Sequence, residues 1–453
     1  MLDLDTAARE IGAGRRGPNL SFDGVTTDSR QVARGDLFVA LRGERFDGHT
    51  FADQALAAGA VAALVDDPDR VATRGASLIL VDDTLQGLGR LACAWRARFA
   101  LALVGVTGSN GKTTVKEMIA GILRAHAGDD AVLATSGNLN NAIGVPLMLL
   151  RLRSHHRYAV IEMGMNHLGE IRYLTRLAAP TVALVTNAGT AHIGEVGSRE
   201  AIAQAKGEIY EGLRDGIAVI NADDRFAGYW RGLNAGRRVI DFGFEQAVAV
   251  RGSLSGAVLS VRTPDAAYEV RLRVPGAHNA HNALAACAVA GALVMPPAAV
   301  VRGLQEYEGS RARLQRRAGT GGCLVIDDTY NANPDSMRAA IAVLADRPGT
   351  RFLVLGDMGE LGSEGPALHA EVGAEARRAG IERLFALGPL SAESARAFGA
   401  GAHHFTEADA LVSELSPLLN AGVTVLVKGS RFMRMERVVS RIADGEPVAA
   451  GDH

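Results

Sequence analysis

The sequence predicts an α/β protein of three domains, each built around a largely parallel sheet. Its 453 residues suffice for two to four domains at roughly 100–200 residues each. Short apolar runs alternate with helical patterns from end to end, and the runs close on polar or glycine-rich turns. That is the pattern of strands feeding crossover helices. The composition, 48% hydrophobic and 22% charged, suits domains with substantial cores.

Charge and cysteine usage narrow the function classes. The formal net charge is -2, with no strongly basic or acidic block, so nucleic acid is not an expected partner. Cys93, Cys287 and Cys323 are far apart and share no CxxC spacing, which reads as three reduced thiols. No run of about 18 apolar residues predicts a membrane span. The opening Met1-Leu2-Asp3-Leu4-Asp5 lacks the basic-then-apolar order of a secretory signal. The expected compartment is the cytoplasm.

The first domain is read over 1–98, with apolar stretches at 36–41 and 61–65 around Asp47-Gly48-His49-Thr50-Phe51 and an alanine-rich helical pattern. The second covers 99–313. Its buried strand at 101–106 runs into a glycine-rich turn and then a helix. Val115, Met118, Ile119, Ile122 and Leu123 give that helix one apolar stripe. Further strands are expected at 158–163, 182–185 and 217–220. The third domain, 314–453, has expected strands at 324–328, 352–355, 383–387 and 423–427. One of its helices opens at Asn333-Pro334, with Asn as N-cap and Pro in the first helical position. The pattern is that of a Rossmann-type sheet. No G-x-G-x-x-G turn follows its first strand, so no dinucleotide is assigned.

The strongest chemical signal is Thr107-Gly108-Ser109-Asn110-Gly111-Lys112-Thr113-Thr114, set between a buried strand and an amphipathic helix. Glycines let backbone N–H groups turn inward on phosphate oxygens, and the helix N-terminus adds positive potential. Gly108 to Thr114 are therefore the expected ATP-binding residues. Lys112 would reach the β- and γ-phosphates, and the Thr113 hydroxyl would ligate Mg²⁺. The strict phosphate-loop spacing is not met, because Val106 stands where its first glycine would be.

Glu162 closes the strand at 158–163, and a carboxylate at a strand's carboxyl end can hold Mg²⁺ opposite the phosphates. Lys206 falls on the apolar stripe of a helix expected from Ser198 to about Leu213. A lysine there either snorkels to water or faces inward toward the metal.

Together these residues resemble the Mur ligases of peptidoglycan synthesis. The motifs that carry the resemblance are Thr107–Thr114, Gly137-Asn138-Leu139-Asn140-Asn141, Glu162-Met163-Gly164, Ala205-Lys206-Gly207-Glu208-Ile209 and His278-Asn279-x-x-Asn282. In the third domain they are Asp327-Asp328-Thr329-Tyr330-Asn331-Ala332-Asn333-Pro334, Gly356-Asp357-Met358-Gly359-Glu360-Leu361-Gly362 and Lys428-Gly429-Ser430-Arg431. Thr27-Asp28-Ser29-Arg30, Gly35-Asp36-Leu37-Phe38 and Asp47-Gly48-His49 match in the first domain. The resemblance covers essentially the whole chain.

It implies an N-terminal UDP-substrate domain, a central ATPase and a C-terminal Rossmann-like domain. The joint order of the motifs implies a monomeric enzyme that joins D-alanyl-D-alanine to a UDP-MurNAc-tripeptide through an acyl phosphate. Lys112, Glu162, His192 and Lys206 would be catalytic. Glu162 and His192 would hold a second Mg²⁺, beside Lys206 as a carbamate formed from CO₂. Asn279 and Asn282 would face adenine. Arg313 and Asp328 would meet ATP across the central–C-terminal cleft, with Arg313 preferred to Arg311, Arg316 and Arg317 on a Gly–Arg–Leu pattern. Ser29, Arg30 and Asn138 would bind the UDP-substrate. Ala277 stands where many members carry Arg, so no basic contact is expected there. Other readings are the ligase that adds the tripeptide's third residue, a folylpolyglutamate-type synthetase, a P-loop GTPase or motor, and a non-catalytic nucleotide-binding regulator. The Asp-Asp-Thr-Tyr-Asn-Ala-Asn-Pro and Gly-Asp-Met-x-Glu-Leu-Gly runs argue against the first two. No Asn-Lys-x-Asp guanine signature supports the third, and the joint presence of Lys112, Glu162 and Lys206 argues against the last.

Overall fold

The computed structural model describes residues 1–43, 46–191, 193–245 and 247–447. Among these, the strands form three larger sheets and one N-terminal pair, Leu2–Asp3 with Ser21–Phe22. The first sheet runs Gly14–Arg16, Leu78–Leu80, Ala62–Val65, Asp36–Val39, Gly24–Thr26 and is parallel except at the Gly14–Arg16 edge.

The central sheet carries the site. Strand Ala102–Thr107 lies between Tyr158–Glu162 and Val182–Val185 and is parallel to both. The chain leaves it toward the Val132–Ala134 edge, returns through Tyr158–Glu162, and only then crosses to its other flank. That reversal opens a crevice at the strands' carboxyl ends, where α/β sheets bind ligands. Register decides what lines it. Glu162 sits opposite Val106, and Val185 opposite Thr107, so the 108–111 loop, Gly164 and Thr186 emerge together.

The apolar stripe of helix Lys112–Ala127 is buried as the spacing predicts. It packs against helices Ala277–Ala292 and Pro297–Gln305. The crossing with the latter is close: a Cβ on Gly303 would lie 2.5 Å from the Ile122 backbone.

The expected strands at 182–185, 324–328 and 383–387 are found at those bounds, and the others shift by one or two residues at one or both ends. The antiparallel strands Val250–Ser255, Val258–Arg262, Ala267–Arg271 and Gln315–Gly319 were not expected. Each leaves much of one face in water, which breaks the continuous apolar run that marks a buried parallel strand.

The helix expected from Ser198 to about Leu213 is shorter. Ser198 caps it by accepting from the Ala201 N–H, but the α-helix spans Arg199–Gly207 and tightens into a 3-10 turn over Glu208–Gly212. Packing explains the change. A Cβ on Gly207 would come within 2.9 Å of Leu233, and one on Gly212 within 2.5 Å of the Thr175 carbonyl. Both positions are glycines, which also weaken a helix locally.

The third sheet is parallel from Ala402–Phe405 through Arg383–Leu387, Thr350–Gly356 and Val423–Lys428 to Leu324–Asp328, with antiparallel strands beyond. Helix Pro334–Ala345 opens at Asn333 as predicted, with a reciprocal cap. Asn333 accepts from the Ser336 N–H at 2.9 Å, and its own N–H donates to Ser336 Oγ at 3.0 Å. Leu88, Leu91 and Trp95 of the first domain share one core with Ile171 and Leu174 of the second. The Trp95 indole donates to the Leu152 carbonyl at 3.1 Å, which seals that junction.

Gly303→Ala is expected to lower stability by about 1–3 kcal/mol, read as an earlier midpoint in urea unfolding. An unchanged midpoint would mean that the two helices have room to part.

Candidate active site

The phosphate-type loop is gripped on two sides. Gly108 has φ 147° and Gly111 φ 81°. A Cβ at Gly108 would overlap the Thr186 hydroxyl, and one at Gly111 the Asn282 carboxamide. The Ser109 N–H donates to the Asn187 carbonyl at 2.9 Å, and the Asn110 N–H to Asn187 Oδ1 at 3.0 Å. The Gly189 N–H donates to Ser109 Oγ at 2.9 Å. Helix Lys112–Ala127 begins where the loop ends, and first-turn N–H groups have no intrahelical partner, so they suit an anion. Lys112 Nζ is folded back over the loop, donating to the carbonyls of Gly108 at 2.7 Å and Ser109 at 3.1 Å. Loss of water pushes its proton affinity down, and Glu162 opposes that shift.

Glu162 is 2% exposed, and both its oxygens are engaged. Oε2 accepts from the Thr113 hydroxyl at 2.8 Å and Oε1 from Asn140 Nδ2 at 2.8 Å. Arg313, contributed from beyond the central sheet, donates to Thr113 Oγ1 at 3.0 Å and stacks 4.0 Å over the Tyr330 ring. A hydroxyl and a carboxylate in contact make a hard-oxygen pair of the kind Mg²⁺ takes up alongside substrate phosphates. Among the described residues, no cluster of three or more His, Cys, Asp or Glu is arranged to hold a metal unaided.

Lys206 is fully buried, and its Nζ has no hydrogen-bond partner among the described residues. Burial pushes its pKa well below the ordinary 10.5, Lys112 pushes the same way, and Glu170, Glu162 and Glu208 oppose. An unpaired ammonium in such a place costs several kcal/mol, so burial favours the neutral amine over the ammonium.

The third domain closes the cleft. Asp328 Oδ2 accepts from Lys428 Nζ at 2.6 Å, and Oδ1 from the Leu314 N–H at 3.1 Å. Lys428 also donates to the Asn331 carbonyl at 2.8 Å. Asn279 donates to the Pro275 carbonyl at 2.7 Å and accepts from Asn282 at 3.3 Å. Burial lowers the pKa of His278 and His281 beside them. The cleft between these walls is about 1610 Å³, lined by Lys112, Thr113, Glu162, Asn282, Arg313 and Asp328 among others.

Comparison with known proteins gives this geometry its family. The Mur ligase middle domain model matches residues 106–290, the Mur ligase glutamate ligase domain 312–431, and the Mur ligase family catalytic domain 21–96. The UDP-N-acetylmuramoyl-tripeptide–D-alanyl-D-alanine ligase of Escherichia coli is 42% identical, over 95% of each chain. The chain belongs to the Mur ligase family. The enzyme of the same name from Bacillus subtilis is 36% identical over 93% of each chain. A crystal structure of MurF from Acinetobacter baumannii superposes with a TM-score of 0.90 at 36% identity, covering 96% of this chain and 97% of the other. MurF ligase from Thermotoga maritima in complex with ADP gives 0.81 at 29% identity, covering 92% and 96%.

Within this Mur ligase the structure brings most of the expected residues together. Lys112, Thr113, Glu162, Asn279, Asn282, Arg313 and Asp328 all line one cleft. Lys206 is enclosed behind its wall rather than on it. His192 lies outside the described residues. Ser29 and Arg30 follow strand Gly24–Thr26 of the first sheet and do not line the cleft. Arg30 is turned back in a bidentate pair with Asp28, at 2.9 and 2.8 Å. Asn138, expected to bind the UDP-substrate, does not line the cleft either. It is exposed and outside the lining, whereas Asn140, two residues on, reaches Glu162. Three asparagines in five positions give no sign of which faces inward. Lys428 stands out in the sequence only as part of the Lys428-Gly429-Ser430-Arg431 motif. The pairing of Asp328 with Lys428 at two strand ends is the signal that marks it.

Lys206→Met is expected to melt no lower than the parent in CO₂-depleted buffer, because it removes an unpaired buried amine. Between its lowered folded pKa and 10.5 the unfolded chain binds the extra proton, so in the parent this group's contribution to stability rises with pH across that window. A melting point several degrees lower in the variant would mean that the amine has a partner.

Proposed function

We propose that this Mur ligase joins D-alanyl-D-alanine to a UDP-MurNAc-tripeptide in peptidoglycan precursor synthesis, with ATP converted to ADP and phosphate. The observation that carries the reading is the convergence of the phosphate loop, the Thr113–Glu162 contact and Arg313 on a single cleft. A carboxylate and a triphosphate repel each other, so the site must supply positive charge where they meet. First-turn N–H groups and Lys112 would hold the β- and γ-phosphates, with Arg313 adding charge from the junction with the third domain. The adenine would lie toward Asn279 and Asn282, and Asp328 would bound the cleft opposite.

The tripeptide's terminal carboxylate oxygen attacks the γ-phosphorus. The bond to the β-γ bridging oxygen breaks and ADP leaves. The free amine of D-alanyl-D-alanine attacks the acyl carbon, the C–O bond to phosphate breaks, and the amine loses a proton as the amide forms. Mg²⁺, bound through Thr113 and Glu162, would offset charge on the transferring group. His192 is kept as a second-metal ligand on family resemblance alone. Ser29, Arg30 and Asn138 would serve the UDP-substrate.

Lys206 is read as the site of a carbamate. Its neutral Nζ attacks the carbon of CO₂, an N–C bond forms, and the displaced N–H proton goes to water. A buried amine that is costly to protonate thereby becomes an anion where the metal would sit. The setting is the cytoplasm and the working unit a monomer.

Phosphate release is expected to need the UDP-tripeptide and D-alanyl-D-alanine together. Steady release with ATP alone would point to a motor or GTPase, and silence in every mixture to a nucleotide-binding regulator. Lys206→Ala is expected to fall in turnover by at least about 10²-fold, with partial recovery on adding formate or acetate. Full activity in that variant would remove the carbamate from the mechanism.

A further inference from the structure

Asn110 is the point of the phosphate loop held from both domains. Its N–H donates to Asn187 Oδ1 at 3.0 Å. Its carbonyl accepts from Thr186 Oγ1 at 2.7 Å and Asn187 Nδ2 at 3.1 Å. Its side-chain Oδ1 accepts from Asn333 Nδ2 at 2.8 Å, and Asn333 is the N-cap of helix Pro334–Ala345 in the third domain. Two residues on, Asp335 Oδ2 accepts from both the N–H and the hydroxyl of Thr190, at 2.7 and 2.8 Å. A Cβ on Gly189 would lie 2.5 Å from that same oxygen. Arg338 at 3.0 Å and Arg199 at 3.6 Å balance the acid.

We propose that the C-terminal domain completes the phosphate loop, with Asn333 and Asp335 as positioning residues that make the loop's ATP-holding shape depend on the seating of that domain. The loop leans on the 186–190 segment, and both lean on the start of one third-domain helix. When the domain swings away, Asn110 Oδ1 and Thr190 lose these partners together. Phosphates are then held in reactive geometry chiefly when the third domain is in place, so phosphoryl transfer waits on assembly of the full site. The inference rests on the ligase reading for its consequence, although the contact network can be tested without it.

The test is a double-mutant cycle on the full chain, with Asn333→Ser and Asn110→Ala. Serine still caps a helix but is too short to reach Asn110. Two quantities are read: Mg-ATP affinity by calorimetry, which needs neither acceptor, and kcat with all substrates. Each single variant should weaken Mg-ATP binding and lower kcat about 10-fold, and the double should lose about 10-fold again in total rather than about 100-fold. Melting temperature and KM for the UDP-tripeptide should not move. Asp335→Ala should lose kcat similarly, and Asp335→Asn, which still accepts from Thr190, should recover most of it. Multiplying losses in the cycle, or an Asn333→Ser variant equal to the parent, would overturn the proposal. A parent that binds Mg-ATP but never ligates would instead overturn the ligase reading, leaving the binding cycle to decide this one.

Discussion

The site depends on how closely two loops approach at the carboxyl edge of the central sheet. Gly108 has no space for a side chain because the Thr186 hydroxyl stands there, and Gly111 none because Asn282 does. Both glycines have backbone angles that other residues adopt only with strain. The loop is thus a backbone object, clamped between the ends of neighbouring strands and capped by a helix start. Strand register places Glu162 alongside, and so brings the Thr113 hydroxyl and an acid into contact without any sequence proximity between them.

Around that clamp the charges are arranged so that few are satisfied by water. Lys112 is spread over its own loop's carbonyls, Arg313 is shared between Thr113 and a tyrosine face, and Glu162 is bonded at both oxygens. Lys206 is the exception, an amine enclosed with no hydrogen-bond partner among the described residues. Interiors rarely tolerate such a group unless chemistry needs it.

The third domain adds more than a wall. Its buried Lys428–Asp328 pair ties the ends of two adjacent parallel strands and holds the Asn331 carbonyl. The segment that leads into the Asn333 cap is therefore stiff when it meets the phosphate loop. A buried pair of this kind contributes little net stability, and its value lies in setting geometry.

Local chemistry was legible from residues alone. The Gly-rich turn before an amphipathic helix, the acid at a strand end and the Asn-Pro helix start each rest on short-range rules, and the structure has all three. The sequence could also place Lys206 on an apolar stripe, because helical spacing is local. Which asparagine of the 138–141 run turns inward, where the Ser198 helix stops, and that Asp328 meets Lys428 were decided only by tertiary packing. These depend on what stands opposite: Glu162 across the crevice, Thr175 and Leu233 against two glycines, and a strand partner a hundred residues away. A period of two or 3.6 residues says which side of an element is buried, but the identity of the neighbour on that side exists only once the chain has folded.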